Sequence, residues 1–279
     1  MVDVNKVYMD TNYRLHYPPG ASHMDNFPEE LRSVVHDHWA QFPPQHPLVV
    51  DLFGLFFLFL TFVCLFGNGL VIYVFLSTKS LRTPTNMFIV NLAISDSGIT
   101  FSQGPLMFIN AFNSDFWMWG PFVCRLYGCL GGIFGVVSIM TMVVIGYDRF
   151  NVIVKGFKGT KITHPLALLI ILAIWGYATA SCIPPFFGWG GYMLEGLFIT
   201  CSYDYLSDDW NHKSFILYAF VFNYCLPVTF VIFFYSQIVK AVVAHEAALK
   251  AQAKKMNVDS LRSNAVRTFQ KIQKCIFIT

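Results

Sequence analysis

The sequence has little charge. Only 13% of its 279 residues are Asp, Glu, Lys or Arg, whereas about 25% is usual in soluble globular proteins, and the mean hydropathy is +0.52. The cysteines form no CxxC pair and no Cys/His spacing suited to zinc, and no GxGxxG phosphate loop is present. No paired carboxylates and no nucleophile–base set can be seen. These absences argue against a soluble domain, a zinc protein, a dinucleotide-binding protein and an enzyme.

Residues 1–48 lack an apolar segment of the secretory kind and contain no Asn-x-Ser/Thr glycosylation site. They hold scattered charges and many Pro and His residues. We interpret them as an N-terminal segment outside the membrane, and we expect the first span to act as its own insertion signal.

The sequence contains several long apolar runs. A membrane-spanning helix needs about 20 mostly apolar residues, because the hydrocarbon core is about 30 Å thick. Runs of this length cover Val49–Leu76, Asn86–Phe112, Pro121–Val144, Pro165–Phe187 and Phe215–Val239. The pattern predicts an all-α membrane protein with five transmembrane helices in residues 49–244. A cytoplasmic segment and tail follow over residues 245–279.

Loop charges predict the orientation, because Lys and Arg are enriched in cytoplasmic loops. The loops after runs one, three and five carry the basic residues Lys79, Arg82, Lys155, Lys158, Lys161, Lys240, Lys250, Lys254, Lys255, Arg262, Arg267, Lys271 and Lys274. The opposite side carries the acids Asp25, Glu29, Glu30, Asp37, Asp115, Glu195, Asp204, Asp208 and Asp209. We therefore expect an extracellular N-terminus.

Two cysteines fall on the extracellular side in this orientation. Cys124 lies at the outer end of run three, and Cys201 lies in the loop between runs four and five. An oxidising compartment permits a disulfide between them, and the alternative is a pair of free thiols. The cysteines inside the runs are interpreted as small packing residues: Cys64, Cys129, Cys182 and Cys225.

Asp96 is the deepest acid in the apolar runs. A carboxylate there is costly, so it should face the bundle and have a partner. Asn68 is the first candidate partner, and Asn91 and Ser138 are further candidates. An intramembrane polar site of Asn68 and Asp96 that takes part in switching, and a polar clamp that is purely structural, both fit this pattern.

Run three contains two further features. The glycines of GCLGGIFG, residues 128–135, are spaced four apart and permit close approach of a neighbouring helix or a ligand. At its cytoplasmic end Asp148 and Arg149 stand side by side. Such a pair either anchors the helix end at the headgroups or forms an electrostatic switch that releases Arg149 to a partner.

These features occur in a familiar order. GNGLVIY, LRTPTNMFIVNLAISD, the outer Cys124, Asp148-Arg149-Phe150, Trp175, Pro227 and Tyr235 follow one another along the chain. The set resembles a rhodopsin-class G-protein-coupled receptor over about residues 40–264, although that class usually has Tyr where Phe150 stands. The stretches PPFFGWGGYMLEGLFITCSYDYLSDDW, HEAALKAQAKKMNVDSLRSN and HWAQFPPQHPL resemble arthropod visual opsins of the rhabdomeric type.

The resemblance implies a retinal chromophore, a heterotrimeric G protein of the Gq type as partner, and a lipid environment in the rhabdomeric membrane. It implies that Glu195 is the counterion of the retinal Schiff base, because Tyr127 stands where vertebrate visual pigments have a carboxylate. It implies a retinal pocket of Tyr127, Gly135, Trp189, Tyr205, Phe220, Asn223 and Tyr224. Arg149 would meet the G protein beside a helical extension over Lys240–Lys255. Gln103 replaces the Lys of many ultraviolet-sensitive insect pigments.

The sequence also departs from that class. The class has seven spans, five are predicted here, and the resemblance is expected to stop at Asn264. None of the five runs contains the Lys that holds retinal in the seventh span, so a covalent photopigment is not expected from this chain. Either the sequence is an incomplete or mis-spliced opsin, or a truncated product is retained in the endoplasmic reticulum and modulates full-length opsin. A transporter is expected to carry more intramembrane charges than this sequence has. No feature of the sequence indicates nucleic-acid binding.

Overall fold

The computed structural model describes residues 22, 24–25, 27–43, 45–113 and 117–256. Asp115 lies outside the described residues, as do the first 21 residues of the N-terminal segment and residues 257–279 of the tail. The predictions made for those positions, including the basic residues that follow residue 256, therefore stay predictions.

The described part of the chain is an α-helical bundle. Its α-helices are α1 Pro47–Ser77, α2 Pro84–Asn113, α3 Gly120–Phe150, α4 His164–Cys182, α5 Trp210–Tyr218 and α6 Leu226–Met256. The π-helical segment Ala219–Cys225 joins α5 to α6, so these two helices form one continuous helical rod. Together with α1 to α4 this makes five rods, one for each predicted span. A proline stands at the first or second position of α1 to α4, where its fixed φ suits a helix start and its missing N–H costs nothing.

Among the described residues, four stretches are long and apolar enough to cross a membrane: Pro47–Ser77, Gly120–Lys155, His164–Cys182 and Trp210–Gln252. The remaining rod, α2, has 30 residues, which is a length of about 45 Å. Its polar side chains lower its hydropathy, but Asn91, Ser95 and Asn110 are buried against its neighbours. The second predicted span is therefore a helix of spanning length whose polar groups face the bundle.

Several predicted span ends differ from the structure, and α3 ends at Phe150 rather than at Val144. The helix α4 ends at Cys182 rather than Phe187, because two prolines follow and the chain turns into the 3₁₀ segment Pro184–Phe187. The fifth rod runs on to Met256, so the predicted cytoplasmic extension is helical. In this rod the N–H of Leu226 bonds to the Val221 carbonyl, a wide turn immediately before the helix-interrupting Pro227.

The outer end of the bundle is capped in layers. The antiparallel strands β1 Tyr192–Leu194 and β2 Cys201–Tyr203 lie on α3. Two 3₁₀ turns of the N-terminal segment, Glu29–Val34 and Asp37–Gln41, cover the hairpin. The shared core includes Leu31, Val34, Trp117, Cys124, Leu194 and Phe198. Gly196 is required in the hairpin turn, because a Cβ there would stand 2.7 Å from the ring of Trp39.

Candidate functional site

The hairpin is fixed to the bundle by a disulfide bond. Cys124 and Cys201 are bonded, with their Cα atoms 5.4 Å apart and 77 positions between them in the sequence. Both cysteines are buried in the outer core. The predicted pairing is confirmed, and β2 is held against the outer end of α3.

Glu195 follows β1 and lies at the edge of the hairpin. Its backbone N–H donates to the Thr200 carbonyl at 3.0 Å, and the Thr200 hydroxyl donates to Oε2 at 2.7 Å. The carboxylate interacts electrostatically with the phenols of Tyr127 and Tyr205. Burial, together with Glu195 and Asp204, raises the pKa of Tyr205. No cationic nitrogen of the described residues lies within 4.0 Å of Glu195.

A tyrosine pair that the sequence analysis missed fills the space behind the hairpin. Tyr192 and Tyr203 are cross-strand partners with ring centroids 5.2 Å apart. The Tyr192 hydroxyl donates to the Cys182 carbonyl at 2.6 Å, and the Tyr203 hydroxyl lies 3.2 Å from the Cys182 sulfur. Burial raises the pKa of both phenols, so both act as neutral hydrogen-bonding groups. The pair ties the hairpin to the end of α4.

The glycines of run three have distinct roles. A Cβ on Gly128 would meet the Tyr192 ring, one on Gly131 would meet the Gln103 amide, and one on Gly132 would meet Tyr203. Apart from its neighbours along α3, no described residue lies within 4 Å of a Cβ placed on Gly135. Three of the four glycines therefore admit neighbouring side chains, whereas Gly135 borders open space.

The predicted pocket residues of span five do not all converge. Phe220 and Tyr224 stack on each other at 5.8 Å and are 54% and 56% exposed. Asn223 points to α4, where its Oδ1 accepts a 2.8 Å hydrogen bond from the hydroxyl of Tyr177. The amide nitrogen of Asn223 is buried without a hydrogen-bond partner among the described residues. Tyr177 is a further residue that sequence reasoning missed.

Trp189 and Tyr205 lie at the outer rim, where the predicted lid would be. The Trp189 indole donates to the Ser214 hydroxyl at 2.9 Å and packs against Tyr218. Tyr205 and Phe220 line an open cavity of about 240 Å³.

The rim is held by charged groups. Asp209 caps the N-terminus of α5 by accepting from the His212 N–H at 3.1 Å, and this bond and the imidazole lower the pKa of Asp209. The His212 Nδ1 lies 2.6 Å from Asp209 Oδ2, and the His212 Nε2 lies 3.5 Å from Asp204 Oδ2. Lys213 pairs with Asp208. These contacts connect the end of β2 to the start of span five.

Asp96 has a direct partner on α3. Ser138 donates to Asp96 Oδ1 at 2.6 Å and contacts the Ser95 hydroxyl at 2.8 Å. The described residues show no hydrogen bond between Asn68 and Asp96, and the Asn68 amide instead donates to the carbonyl and sulfur of Cys64 on its own helix. Ser138 is therefore the partner that the structure supplies.

A second polar link joins α2, α3 and α4. The Asn91 amide donates to the Thr141 hydroxyl at 2.8 Å, and the Trp175 indole donates to Asn91 Oδ1 at 2.9 Å. Asn91 is thus a bridge between three helices rather than a partner of the Asp96 carboxylate. Both links satisfy polar groups that would be costly in hydrocarbon.

Replacing Ser138 with alanine is expected to lower the free energy of unfolding by about 1–3 kcal/mol, because the Asp96 carboxylate loses its donor inside the bundle. Ser236→Ala is the matched control, since that hydroxyl bonds only to a carbonyl of its own helix. Thermal unfolding of both variants in detergent checks this. Equal midpoints would contradict the assigned partnership.

The side chains of Asp148 and Arg149 do not form a direct ion pair in the described structure. Asp148 is buried, its carboxylate interacts with the Thr85 side chain, and one of its oxygens has no hydrogen-bond partner among the described residues. The Arg149 Nε is likewise buried without a partner there. In the described part of the chain no ion pair within 4.0 Å joins the two side chains. Asp148 and Arg149 thus interact electrostatically, but without a direct ion-pair contact between described atoms.

An aromatic cluster lies beside this pair. The Lys155 ammonium sits 5.3 Å from the ring centre of Phe150, and Phe150 contacts Phe233 and Phe234 of α6. Phe150, which departs from the usual Tyr, thus joins the cytoplasmic ends of α3 and α6 through ring packing.

Comparisons with known proteins establish the family. Residues 67–278 match the model of the 7 transmembrane receptor (rhodopsin family), and the chain belongs to this family. It is an integral, multi-pass membrane protein of a receptor family rather than an enzyme. The match continues beyond Asn264, so the family pattern does not stop at that residue as the sequence analysis expected.

Individual relatives are similar over most of the chain. A compound eye opsin of Hemigrapsus sanguineus is 48% identical over 89% of this chain and 66% of its own length. An opsin of Manduca sexta is 48% identical over 86% of this chain and 64% of its own length. The crystal structure of squid rhodopsin has a TM-score of 0.76 and 39% identity, covering 88% of this chain and 67% of that chain. The chain thus spans slightly less than two thirds of these two opsins.

Proposed function

We propose that this chain is an opsin-like photoreceptor of the G-protein-coupled class, with retinal as its light-absorbing ligand. The observation that carries the proposal is the Glu195 carboxylate, which is half-buried beside Tyr127 and has no cation within 4.0 Å among the described residues. A carboxylate in such a place favours a cationic ligand group. The similarity to the compound eye opsin of Hemigrapsus sanguineus supports light as the signal.

The described residues fit an elongated apolar ligand along α3. Tyr127 and Gly135 are eight positions apart, which is about 12 Å along a helix, and the space at Gly135 is open. Bound retinal would supply the light-absorbing polyene. Tyr127 and Gly135 would line its path, and the residues that the resemblance adds stand at the rim and on span five: Trp189, Tyr205, Phe220, Asn223 and Tyr224.

Covalent attachment does not fit the described residues. None of their lysines lies within the apolar core of a span, and Lys213, at the outer edge, pairs with Asp208. The described residues therefore offer a counterion and a wall for retinal but no amine. We expect binding without a covalent adduct.

A probe that carries its own cation tests the role of Glu195. The preformed n-butylamine Schiff base of 11-cis-retinal should bind to membranes containing the chain and quench tryptophan fluorescence saturably. Glu195→Gln should weaken binding of the protonated probe roughly tenfold, equivalent to about 1.4 kcal/mol. Binding of free 11-cis-retinal, which is neutral, should change little.

The matched control is Asp208→Asn, an exposed acid of the same loop. Equal affinity of the wild type and Glu195→Gln for the protonated probe would refute the counterion assignment. Absence of saturable binding of either probe would refute the photoreceptor proposal. Borohydride treatment with free retinal provides a separate check, and a reduced adduct would overturn the expectation of non-covalent binding.

On the cytoplasmic side we propose a Gq-type G protein as the partner. Arg149, whose buried Nε has no hydrogen-bond partner among the described residues, stands at the end of α3 beside the α6 extension. The resemblance to rhabdomeric opsins supports this choice and a location in the rhabdomeric membrane.

The alternative is a chain that is retained in the endoplasmic reticulum and modulates full-length opsin. The exposed aromatic face of Phe220 and Tyr224 favours such a contact. Co-expression that leaves full-length opsin at the cell surface unchanged would exclude it.

A further inference from the structure

A groove opens on the lipid-facing side of α2. It has a volume of 410 Å³ and lies between the cytoplasmic ends of α1, α2 and α4. Its polar end is formed by Arg82 and His164, and its floor and walls include Leu76, Ile94 and Ile171. It is distant in the fold from Glu195 and Gly135, so it is not part of the proposed ligand site.

The depth of the groove matches one membrane leaflet. Along α2 its lining extends from Asn86 to Ile94, and eight helical residues rise about 12 Å. Half of the hydrocarbon core is about 15 Å thick. A single acyl chain that enters from the cytoplasmic headgroup level would therefore end near Ile94, which is 45% exposed.

The rim of the groove is positively charged and fixed in place. The Arg82 Nε and Nη2 donate to the Leu76 carbonyl at 2.9 and 2.5 Å, which leaves Nη1 available. None of the described residues that line the groove is acidic. Anionic phospholipids of the cytoplasmic leaflet attract basic groups at this level.

We propose that this groove binds an anionic phospholipid of the cytoplasmic leaflet. The phosphate lies at Arg82 and His164, and one acyl chain fills the apolar groove toward Ile94. The lipid covers the junction of α1, α2 and α4, including Asn91, which carries the link to Trp175. This inference does not depend on the proposed light-sensing function.

Native mass spectrometry of the full chain, purified with phosphatidylserine and phosphatidylcholine, tests the proposal. The wild type should retain phosphatidylserine in preference to phosphatidylcholine. Arg82→Gln should reduce that retention about tenfold, and Ile94→Trp should reduce it by filling the groove. Arg82→Lys should restore much of it, because the charge is kept. Lys161→Gln, an exposed cation of the next cytoplasmic loop, is the matched control and should behave as the wild type.

Several results would overturn the proposal. They are equal retention of both lipids, preferential retention of a sterol, or unchanged phosphatidylserine retention in both Arg82→Gln and Ile94→Trp. Displacement of the lipid by inorganic phosphate would indicate an ion site only. Each variant is checked for the Cys124–Cys201 bond by non-reducing peptide mapping, so loss of the fold is distinguished from loss of lipid.

Discussion

Replacing Cys124 with serine lowers the free energy of unfolding by about 4 kcal/mol, the value expected for a disulfide that closes a loop of this length. The bond spans 77 positions of sequence and lies in the outer core. Its loss frees β2 from α3, and Glu195, at the other side of the hairpin, loses its fixed position. Denaturant unfolding in detergent measures the stability, and binding of the retinal probes measures the site.

Cys225→Ser is the control for this experiment, because Cys225 is a free thiol that is only partly buried. We expect its stability to stay within about 0.5 kcal/mol of the wild type. Cys201→Ser should match Cys124→Ser, since either change breaks the same bond. A Cys124→Ser protein that is as stable as Cys225→Ser would show that the hairpin is held by packing alone.

Alanine at Gly132 and at Gly135 should have opposite effects. In a helix, Gly→Ala by itself adds up to about 1 kcal/mol of stability. At Gly132 the new Cβ meets Tyr203 and stands 3.0 Å from the Cys182 sulfur, and such overpacking costs about 1–3 kcal/mol. At Gly135 nothing opposes the gain. Gly132→Ala should therefore destabilise the protein, whereas Gly135→Ala should leave it unchanged or slightly more stable.

Ligand binding separates the two variants further. The methyl group of Gly135→Ala enters the open space, so retinal binding should weaken about tenfold or more while the thermal midpoint is kept. Gly67→Ala serves as the control, because its Cβ also meets nothing within 4 Å but lies on α1, away from this space. If Gly135→Ala binds retinal as well as Gly67→Ala does, the ligand does not lie at Gly135.

The spans and their orientation could be predicted because run length and loop charge are local properties of the sequence. The disulfide followed from the same orientation, since only two cysteines fall on the outer side of the described bundle. The partner of Asp96 required more, because it depends on how each helix is rotated about its axis. The helix α1 is apolar on most of its surface and gives little signal of that rotation. This is why Asn68 was assigned to Asp96, although it bonds to Cys64.

The missed residues lie where local patterns are weakest. Tyr192 and Tyr203 belong to strands of three residues, which are too short for a period-two pattern to be read. Their rings pack against the glycines of α3, and this contact depends on pairing between segments that are distant in the sequence. The π-helical turn before Pro227 likewise changes which face of span five points inward, so the positions of Phe220 and Asn223 could not be derived from spacing alone.

The layered cap has a consequence for the order of assembly. Residues 27–41 are synthesised before any span, yet they pack on a hairpin that is made after four spans have emerged, with the ring centres of Phe27 and Phe198 4.8 Å apart. The outermost layer therefore cannot close until the layer beneath it has formed. Such contacts between distant parts of the chain slow folding. Residues 27–41, although made before any span, are thus among the last to reach their final place.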